Sequence, residues 1–358
     1  MKYGRSILAG VEGYVPGEQP RSSGVIKLNT NENPYPPSPH VLDALWSLAS
    51  ENVRKYPDPV SRLLRQACAD RYGYPGPEWL IAGNGMDELL ALAVRTFVDP
   101  GDTVLSPYPT YTLYDTLSAL HGARFVGVDL DETFQLTPAF CETKAKLCFL
   151  PRPNAPTGVA APRAEVERFC RAFDGVVVID EAYVEFADDT CMDFPRLLDN
   201  VIVMRTFSKS FSLAGMRLGI AVAQPAIIEE FMKCKDSYNI NMATQAAGLA
   251  AMQDYDYMLG NVAKIRATRA RLTRALTDYG FDVPRSQTNF VLAQWNREPS
   301  AKAIFEALKE QSIFVRYFAA RRLEDCLRIT VGTESEVDAL LDALREIIYG
   351  VERAPAAE

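Results

Sequence analysis

Residues 166–183 read VERFCRAFDGVVVIDEAY. In the first half Val166, Phe169, Cys170 and Phe173 recur at i, i+3, i+4 and i+7, which places four apolar side chains on one face of a helix. In the second half Val176 to Ile179 is an unbroken β-branched run, apolar on both faces, and reads as a strand covered from either side. The same unit recurs outward along the chain. Leu89, Leu90, Ala93, Val94 and Phe97 form a second helical stripe, followed by a short strand at Thr103 to Leu105. Leu147 to Leu150, Val201 to Met204 and Ile220 to Ala223 continue the strand series. Helices alternating with short apolar strands predict an α/β class, a mostly parallel sheet flanked by helices.

After about Asp254 the pattern changes. A long basic helical stretch (Val262 to Tyr279) is followed by hydrophobic segments around Phe290 and Phe314 and by LRITVG at 327–332. A helix then carries Val337, Leu340, Leu341, Leu344 and Ile348 on one face. These predict a smaller α+β C-terminal domain. At the other end NENPYPPSP, 31–39, packs four prolines into a stretch that cannot be helix, and the opening residues read as an extended arm. A chain of 358 residues exceeds what one core accommodates. The expected division is an arm at 1–26, a large domain at 27–253, a small domain at 254–351 and a frayed tail at 352–358, with no internal repeat.

A net charge of −8 without any run of Lys and Arg argues against nucleic-acid partners. Seven scattered cysteines and two histidines, His40 and His121, with no C-x-x-C pair, read as reduced, buried thiols rather than a zinc site. No apolar run is long enough to cross a bilayer and the first twenty residues lack an uninterrupted apolar stretch, so a cytoplasmic protein is expected.

Ligands of open parallel sheets bind where strands end at their carboxyl edge. Val176 to Ile179 delivers Asp180, with Tyr183 three residues on. Val201 to Met204 delivers Thr206, Ser208 and Lys209, with Arg217 eight residues after the lysine, and Leu147 to Leu150 leads into Pro153-Asn154-Ala155-Pro156-Thr157-Gly158. Singly, Asp180 could be a helix cap, Lys209 a solvated lysine and Arg217 an ion-pair residue. Jointly they suit one molecule. Hydroxyls and a guanidinium fit a phosphate, a neutral lysine attacks a carbonyl, a carboxylate keeps a heteroaromatic nitrogen protonated, and a phenol bonds a ring oxygen. Pyridoxal 5'-phosphate meets all four demands.

The run TFSKSFSLAGMRLG (206–219) resembles the covalent-lysine segment of fold-type I aminotransferases, and VIDEAY (178–183) resembles their cofactor-ring segment, with similarity over nearly the whole chain. The resemblance implies that Lys209 bonds the cofactor covalently and later carries the proton between substrate and cofactor. It implies Asp180 at the pyridine nitrogen, Tyr183 at the ring hydroxyl, and Thr206, Ser208 and Arg217 at the phosphate. Gly83-Asn84-Gly85-Met86-Asp87-Glu88 is similar to the family's helix-start loop, where backbone N–H groups of Met86 and Asp87 would meet that phosphate. Tyr111 matches an aromatic that stacks on the ring, although its position alone reads as a core aromatic. One departure stands out: the family motif Asn-Pro-Thr-Gly is here Ala155-Pro156-Thr157-Gly158. Either Asn154, one place earlier, takes the ring-oxygen role, or Tyr183 acts alone.

YVPGEQP (14–20), LNTNENPYP (28–36) and KYPDP (55–59) resemble the arm and following turn of histidinol-phosphate aminotransferases. That likeness implies that Tyr35 closes over substrate and that Tyr56 reaches the neighbouring subunit's cofactor, hence a homodimer with shared active sites. VRY (315–317) and LRITVGT (327–333) match two substrate arginines, Arg316 and Arg328, while Arg321 and Arg322 read as surface charge. The implied reaction is ping-pong transfer between L-histidinol phosphate with 2-oxoglutarate and imidazole-acetol phosphate with L-glutamate, run biosynthetically towards histidinol phosphate. Alternatives on this fold are an aromatic amino-acid aminotransferase and a threonine-phosphate decarboxylase. A catalytically silent regulator would carry an added DNA-binding domain, for which this chain is expected to have no room, and a nicotinamide dehydrogenase would carry a glycine fingerprint that this sequence lacks.

Overall fold

The computed structural model describes residues 3–11, 13–14, 17–20, 24–48 and 52–350. Its strands are β1 (Ile26–Lys27), β2 (Leu80–Asn84), β3 (Thr103–Tyr108), β4 (Arg124–Asp129), β5 (Leu147–Pro151), β6 (Val176–Asp180), β7 (Val201–Thr206), β8 (Leu218–Val222), β9 (Phe290–Gln294), β10 (Ile313–Phe314), β11 (Arg316–Tyr317) and β12 (Cys326–Thr330). Seven form the central sheet in the order β2-β8-β7-β6-β5-β3-β4. From β7 to β4 all neighbours are parallel, whereas β8 runs against both β7 and β2. The loop 207–217 holds only the 3-10 turn Ala214–Met216. It supplies no crossover helix of the kind a parallel return uses, so the chain comes back antiparallel.

Every residue of β5, β7 and β8 is buried. Alternate residues feed two apolar layers. Leu105, Cys148, Leu150, Val177, Ile179, Val201 and Val203 point to one face, and Val104, Leu147, Phe149, Val178, Ile202 and Met204 to the other. This period of two, set between helices on both sides, makes the unbroken apolar runs obligatory.

The C-terminal part is an antiparallel sheet β11-β12-β9 with the helices Ala301–Glu310 and Glu334–Tyr349, the latter started by a Thr333/Glu336 capping box. β1 pairs in parallel with β10, and the Leu28 carbonyl accepts from the Thr330 N–H, so residues 26–28 are stitched to this part of the molecule.

Some expectations need amending. A 3-10 turn, Ser6–Gly10, occupies part of the opening expected to be extended. The long basic helix begins earlier, at Tyr255, and runs to Asp278. Strands β2 and β4 were not anticipated. Cys141 is exposed and Cys234 half-buried, against an expectation of seven buried thiols; the other five are buried and all seven are free. Among the described residues no His/Cys/Asp/Glu cluster could hold a metal ion, and no helix is long and apolar enough to cross a membrane. The expected tail, 352–358, lies outside the described residues.

Beneath the sheet edge Glu181 is fully buried, accepting from the Thr190 hydroxyl at 2.8 Å, the Cys191 N–H at 2.5 Å and Arg205 Nη2 at 3.0 Å. Arg205 is itself buried and also faces Glu185 at 3.4 Å. Removing one partner of a buried pair strands the other. Glu181→Ala is expected to cost about 3–5 kcal/mol of unfolding free energy, measured by denaturant titration, well beyond the effect of Glu167→Ala at the exposed i,i+4 pair with Arg171.

Candidate active site

The carboxyl ends of β2, β3, β5, β6 and β7 and the start of antiparallel β8 meet at one edge of the sheet. Lys209 follows β7 in a segment pinned from the arm side, where Asn33 Nδ2 donates to the carbonyls of Lys209 and Ser210, each at 3.0 Å. Its Nζ donates to the Thr30 carbonyl at 3.2 Å and lies 5.8 Å from the Tyr183 ring centre. Burial, reinforced by the Arg328 guanidinium, pushes the amine down to about 8. At pH 7 about a tenth of it is then the neutral nucleophile, against well under a thousandth for an ordinary lysine.

Asp180 shows the mirror effect. Burial pushes its carboxyl up to about 6, although two donors hold it down: the Tyr114 hydroxyl at 2.5 Å and the Ala182 N–H at 2.9 Å. Tyr114 is fully buried and stacks on Phe149, so it acts as a fixed donor. Tyr111 lies edge-on to Tyr114 at 5.6 Å, with its hydroxyl 3.3 Å from Asp87.

An anion-shaped cradle sits beside them. The helix Met86–Phe97 starts after Gly85, whose φ is 80°, and a Cβ there would come within 2.6 Å of Arg217 Nη2. Gly219, paired across β8 with Gly83 and Thr206, leaves no room for a Cβ either, which would sit 2.7 Å from the Met86 nitrogen. These two glycines let the helix start, β8 and Arg217 close together. Arg217, itself at φ 52°, reaches Asp87 at 3.2 Å and Ser208 Oγ at 3.5 Å, and the Thr206 hydroxyl donates to Ser208 Oγ at 3.0 Å. Two hydroxyls, a half-exposed guanidinium and the N–H groups that open a helix are a donor set for a phosphate. Met86 can offer only its backbone, since its side chain is buried in the core.

Opposite, Arg316 and Arg328 are direct cross-strand partners on β11 and β12. Arg328 Nη2 donates to the Asn29 carbonyl at 2.9 Å, its Nε is buried without a partner, and its guanidinium lies 5.2 and 5.4 Å from the Phe290 and Phe318 ring centres. Like charges set directly opposite are unfavourable unless an anion sits between them.

Lys209, Asp180, Tyr183, Tyr111, Thr206, Ser208, Arg217, Met86, Asp87 and Arg328 are thus brought to one region. Tyr35 stands apart. Its ring lies under the Lys264 ammonium at 4.9 Å and faces Glu334 and Glu336. Tyr56 points outward, 79 % exposed, stacked on Tyr238 at 4.4 Å. Asn154 is buried at the edge, one amide N–H donated to the Pro109 carbonyl at 3.0 Å and its Oδ1 without a partner. Arg321 pairs with Asp129 on the surface, whereas Arg322 is more than surface charge and donates to the Leu130 and Asp131 carbonyls. Sequence reading missed Tyr14, edge-on to Tyr111 at 5.4 Å, and the 29–31 segment, whose contacts with the site are largely through backbone.

A depressed buried lysine, a carboxylate across the site and a phosphate cradle on a mostly parallel sheet define a site for covalent amine–carbonyl chemistry on a phosphorylated cofactor. The family model for aminotransferase class I and II matches residues 23–344. The chain is 48 % identical over 335 residues to the histidinol-phosphate aminotransferase of Synechocystis sp., covering 93 % of this chain and 95 % of that one. It is 43 % identical to the enzyme of the same name from Rhodopirellula baltica, covering 95 % and 94 %. Its structure superposes with a TM-score of 0.85 on the crystal structure of histidinol-phosphate aminotransferase from Sinorhizobium meliloti in complex with pyridoxal-5'-phosphate, at 31 % identity and 92 % coverage of both chains. The chain belongs to aminotransferase class I and II and, within it, to the histidinol-phosphate aminotransferase family.

The depressed amine has a direct consequence. In cofactor-free protein, labelling of Lys209 by an amine-acylating reagent, followed by peptide mass spectrometry, should rise with a midpoint near pH 8 while surface lysines keep rising above pH 10.

Proposed function

We propose that this chain is a pyridoxal-phosphate-dependent aminotransferase exchanging an amino group between L-histidinol phosphate and 2-oxoglutarate, in the physiological direction making L-histidinol phosphate. The observation that carries the chemistry is the Lys209 amine, buried at the carboxyl edge and pushed down to about 8, between Tyr183 and the Arg328 guanidinium. The family membership and the facing arginines support the substrate.

When bound, pyridoxal phosphate supplies an aldehyde for amine exchange and a ring that takes up the electron pair left on the substrate's α carbon. The chain's own residues do the rest. Lys209 would hold the cofactor through its amine and, as a free amine, would accept the proton from the substrate's α carbon. Asp180, oriented by Tyr114 and the Ala182 N–H, holds the ring nitrogen in its protonated form. Thr206, Ser208, Arg217 and the N–H groups of Met86 and Asp87 would hold the phosphate, Tyr111 would cover the ring, and Tyr183 would donate to the ring hydroxyl oxygen. Arg316 and Arg328 bind the substrate phosphate in one half-reaction and a glutamate carboxylate in the other, which planar, bidentate guanidinium groups do equally well. The outward stacking of Tyr56 supports a homodimer in which it reaches the neighbouring protomer's cofactor phosphate.

Mixing the enzyme with 2-oxoglutarate and either L-histidinol phosphate or L-phenylalanine, and following glutamate, tests the substrate. The expected result is a kcat/KM for histidinol phosphate at least a hundredfold higher; a preference for phenylalanine, or carbon dioxide released from L-threonine phosphate, would replace this reading. Arg328→Ala should raise KM for both glutamate and histidinol phosphate by about 10–100-fold, the cost of one charge-assisted contact.

The Asp180 carboxyl adds a pH dependence. Its folded value is raised, so the ionised form needed to pair with a protonated ring nitrogen is lost as pH falls through about 6. Cofactor affinity, measured by absorbance after dialysis, should hold above pH 7 and fall up to tenfold per pH unit below 6, and Asp180→Asn should bind weakly at every pH.

A further inference from the structure

Ala155 occupies the place where the family motif has an asparagine facing the ring oxygen, and Asn154, one place earlier, spends one of its two amide N–H groups on the Pro109 carbonyl. Another amide is aimed at the Tyr183 hydroxyl from a different part of the chain. Asn31 is 2 % exposed, with its Nδ2 2.9 Å from the Tyr183 hydroxyl oxygen. Its remaining polar atoms are all engaged: its N–H donates to Thr330 Oγ1 at 3.0 Å, its Oδ1 accepts from Thr330 Oγ1 at 3.0 Å, and its carbonyl accepts from Asn289 Nδ2 at 2.9 Å.

This network fixes directions. Thr330 Oγ1 accepts from the Asn31 backbone and donates its hydrogen to Asn31 Oδ1, an arrangement that pairs both groups and favours the amide with Nδ2 towards Tyr183. Tyr183 therefore accepts from Asn31, and its hydroxyl hydrogen is left free to be donated into the site. Had the amide been flipped, Tyr183 would spend that hydrogen on Asn31. The position is specific for asparagine in a second respect, since Asn31 has φ 56°, the left-handed region that asparagine tolerates better than most residues.

We propose that Asn31 is a positioning residue which, through Tyr183, keeps a hydrogen bond directed at the cofactor's ring hydroxyl oxygen and so supplies what the missing asparagine at Ala155 does not. The proposal rests on the cofactor reading above. The charged and titratable groups facing Tyr183 are Lys209, Arg328, Asp180, Tyr14, Tyr111 and Tyr114.

A donor to the ring oxygen favours its ionised state, so weakening that donor raises the pH at which the bound cofactor's visible band converts between its protonated and deprotonated forms. In holoenzyme loaded with pyridoxal phosphate, Asn31→Ala and Tyr183→Phe should each raise this midpoint by about one unit, and the double variant should shift no further than Tyr183→Phe alone. Asn31→Asp keeps size and shape but turns the donor into an acceptor that captures the Tyr183 hydrogen, so it should shift the midpoint the same way even if Asn31→Ala folds poorly. Asn154→Ala should leave the midpoint in place. An unmoved midpoint in Asn31→Asp, additive shifts in the double variant, or a shift in Asn154→Ala would overturn the proposal. A wild-type protein that gains no visible band with pyridoxal phosphate would instead overturn the cofactor reading beneath it.

Discussion

The buried amine of Lys209 is the constraint around which the site is arranged. An ammonium at that depth, facing Arg328, is costly, and the protein lowers the cost by letting the proton leave near pH 8. Across the site the same loss of water acts with opposite sign on Asp180, whose carboxyl is raised to about 6. One environment thus prepares two complementary groups, an amine ready to meet a carbonyl and a carboxylate that gains most from a cation beside it. Either group alone would be a defect in the core.

The fold supplies this environment through one irregularity in the sheet. Parallel strands β3, β5, β6 and β7 bring their carboxyl ends to a common edge, but a phosphate also needs a helix start and a guanidinium there. The antiparallel return of β8 meets that need. It carries Arg217 at its start and sets Gly219 against the Met86 nitrogen, so the helix Met86–Phe97 opens directly beside the guanidinium. A side chain at Gly219 would push the helix start away, and a Cβ at Gly85 would meet Arg217 itself.

Much of this was legible in the sequence because both the sheet and the site obey local rules. Unbroken apolar runs announced β5, β6 and β7, and the structure gathers the residues just past them, Asp180, Thr206, Ser208 and Lys209 among them, at one edge of the sheet. β4 escaped because it is an edge strand, exposed at Arg124 and Asp129 and mixed in burial between, so it lacks an unbroken apolar signature. β2 escaped because LIAGN has only three leading apolar residues and ends in Gly83 and Asn84, which read as a turn. The arm was legible as non-helical, and family likeness put its Tyr35 over the substrate, but the contacts made by residues 29–31 were not legible. Thr30 and Asn29 act through backbone carbonyls that any residue possesses, and Asn31 acts through partners about 150 and 300 positions away. No spacing rule reaches such contacts.

That arm also explains how two arginines can share one sheet face. Arg316 and Arg328 repel each other across β11 and β12, and the arm offsets part of this through the Asn29 carbonyl, while Phe290 and Phe318 lie beside the Arg328 guanidinium. This paired positive charge on one sheet face attracts an anion. It suits a phosphate and a carboxylate alike, because either presents a planar pair of oxygens to a guanidinium fork. Recognition of charge therefore cannot by itself separate a phosphorylated amine from an acidic amino acid, and the separation falls to the space around the arginines, where Tyr14 edges onto Tyr111 from the arm. Thr30 and Asn33, which contact the Lys209 segment, and Tyr14, which borders Tyr111, all belong to the N-terminal stretch of the chain.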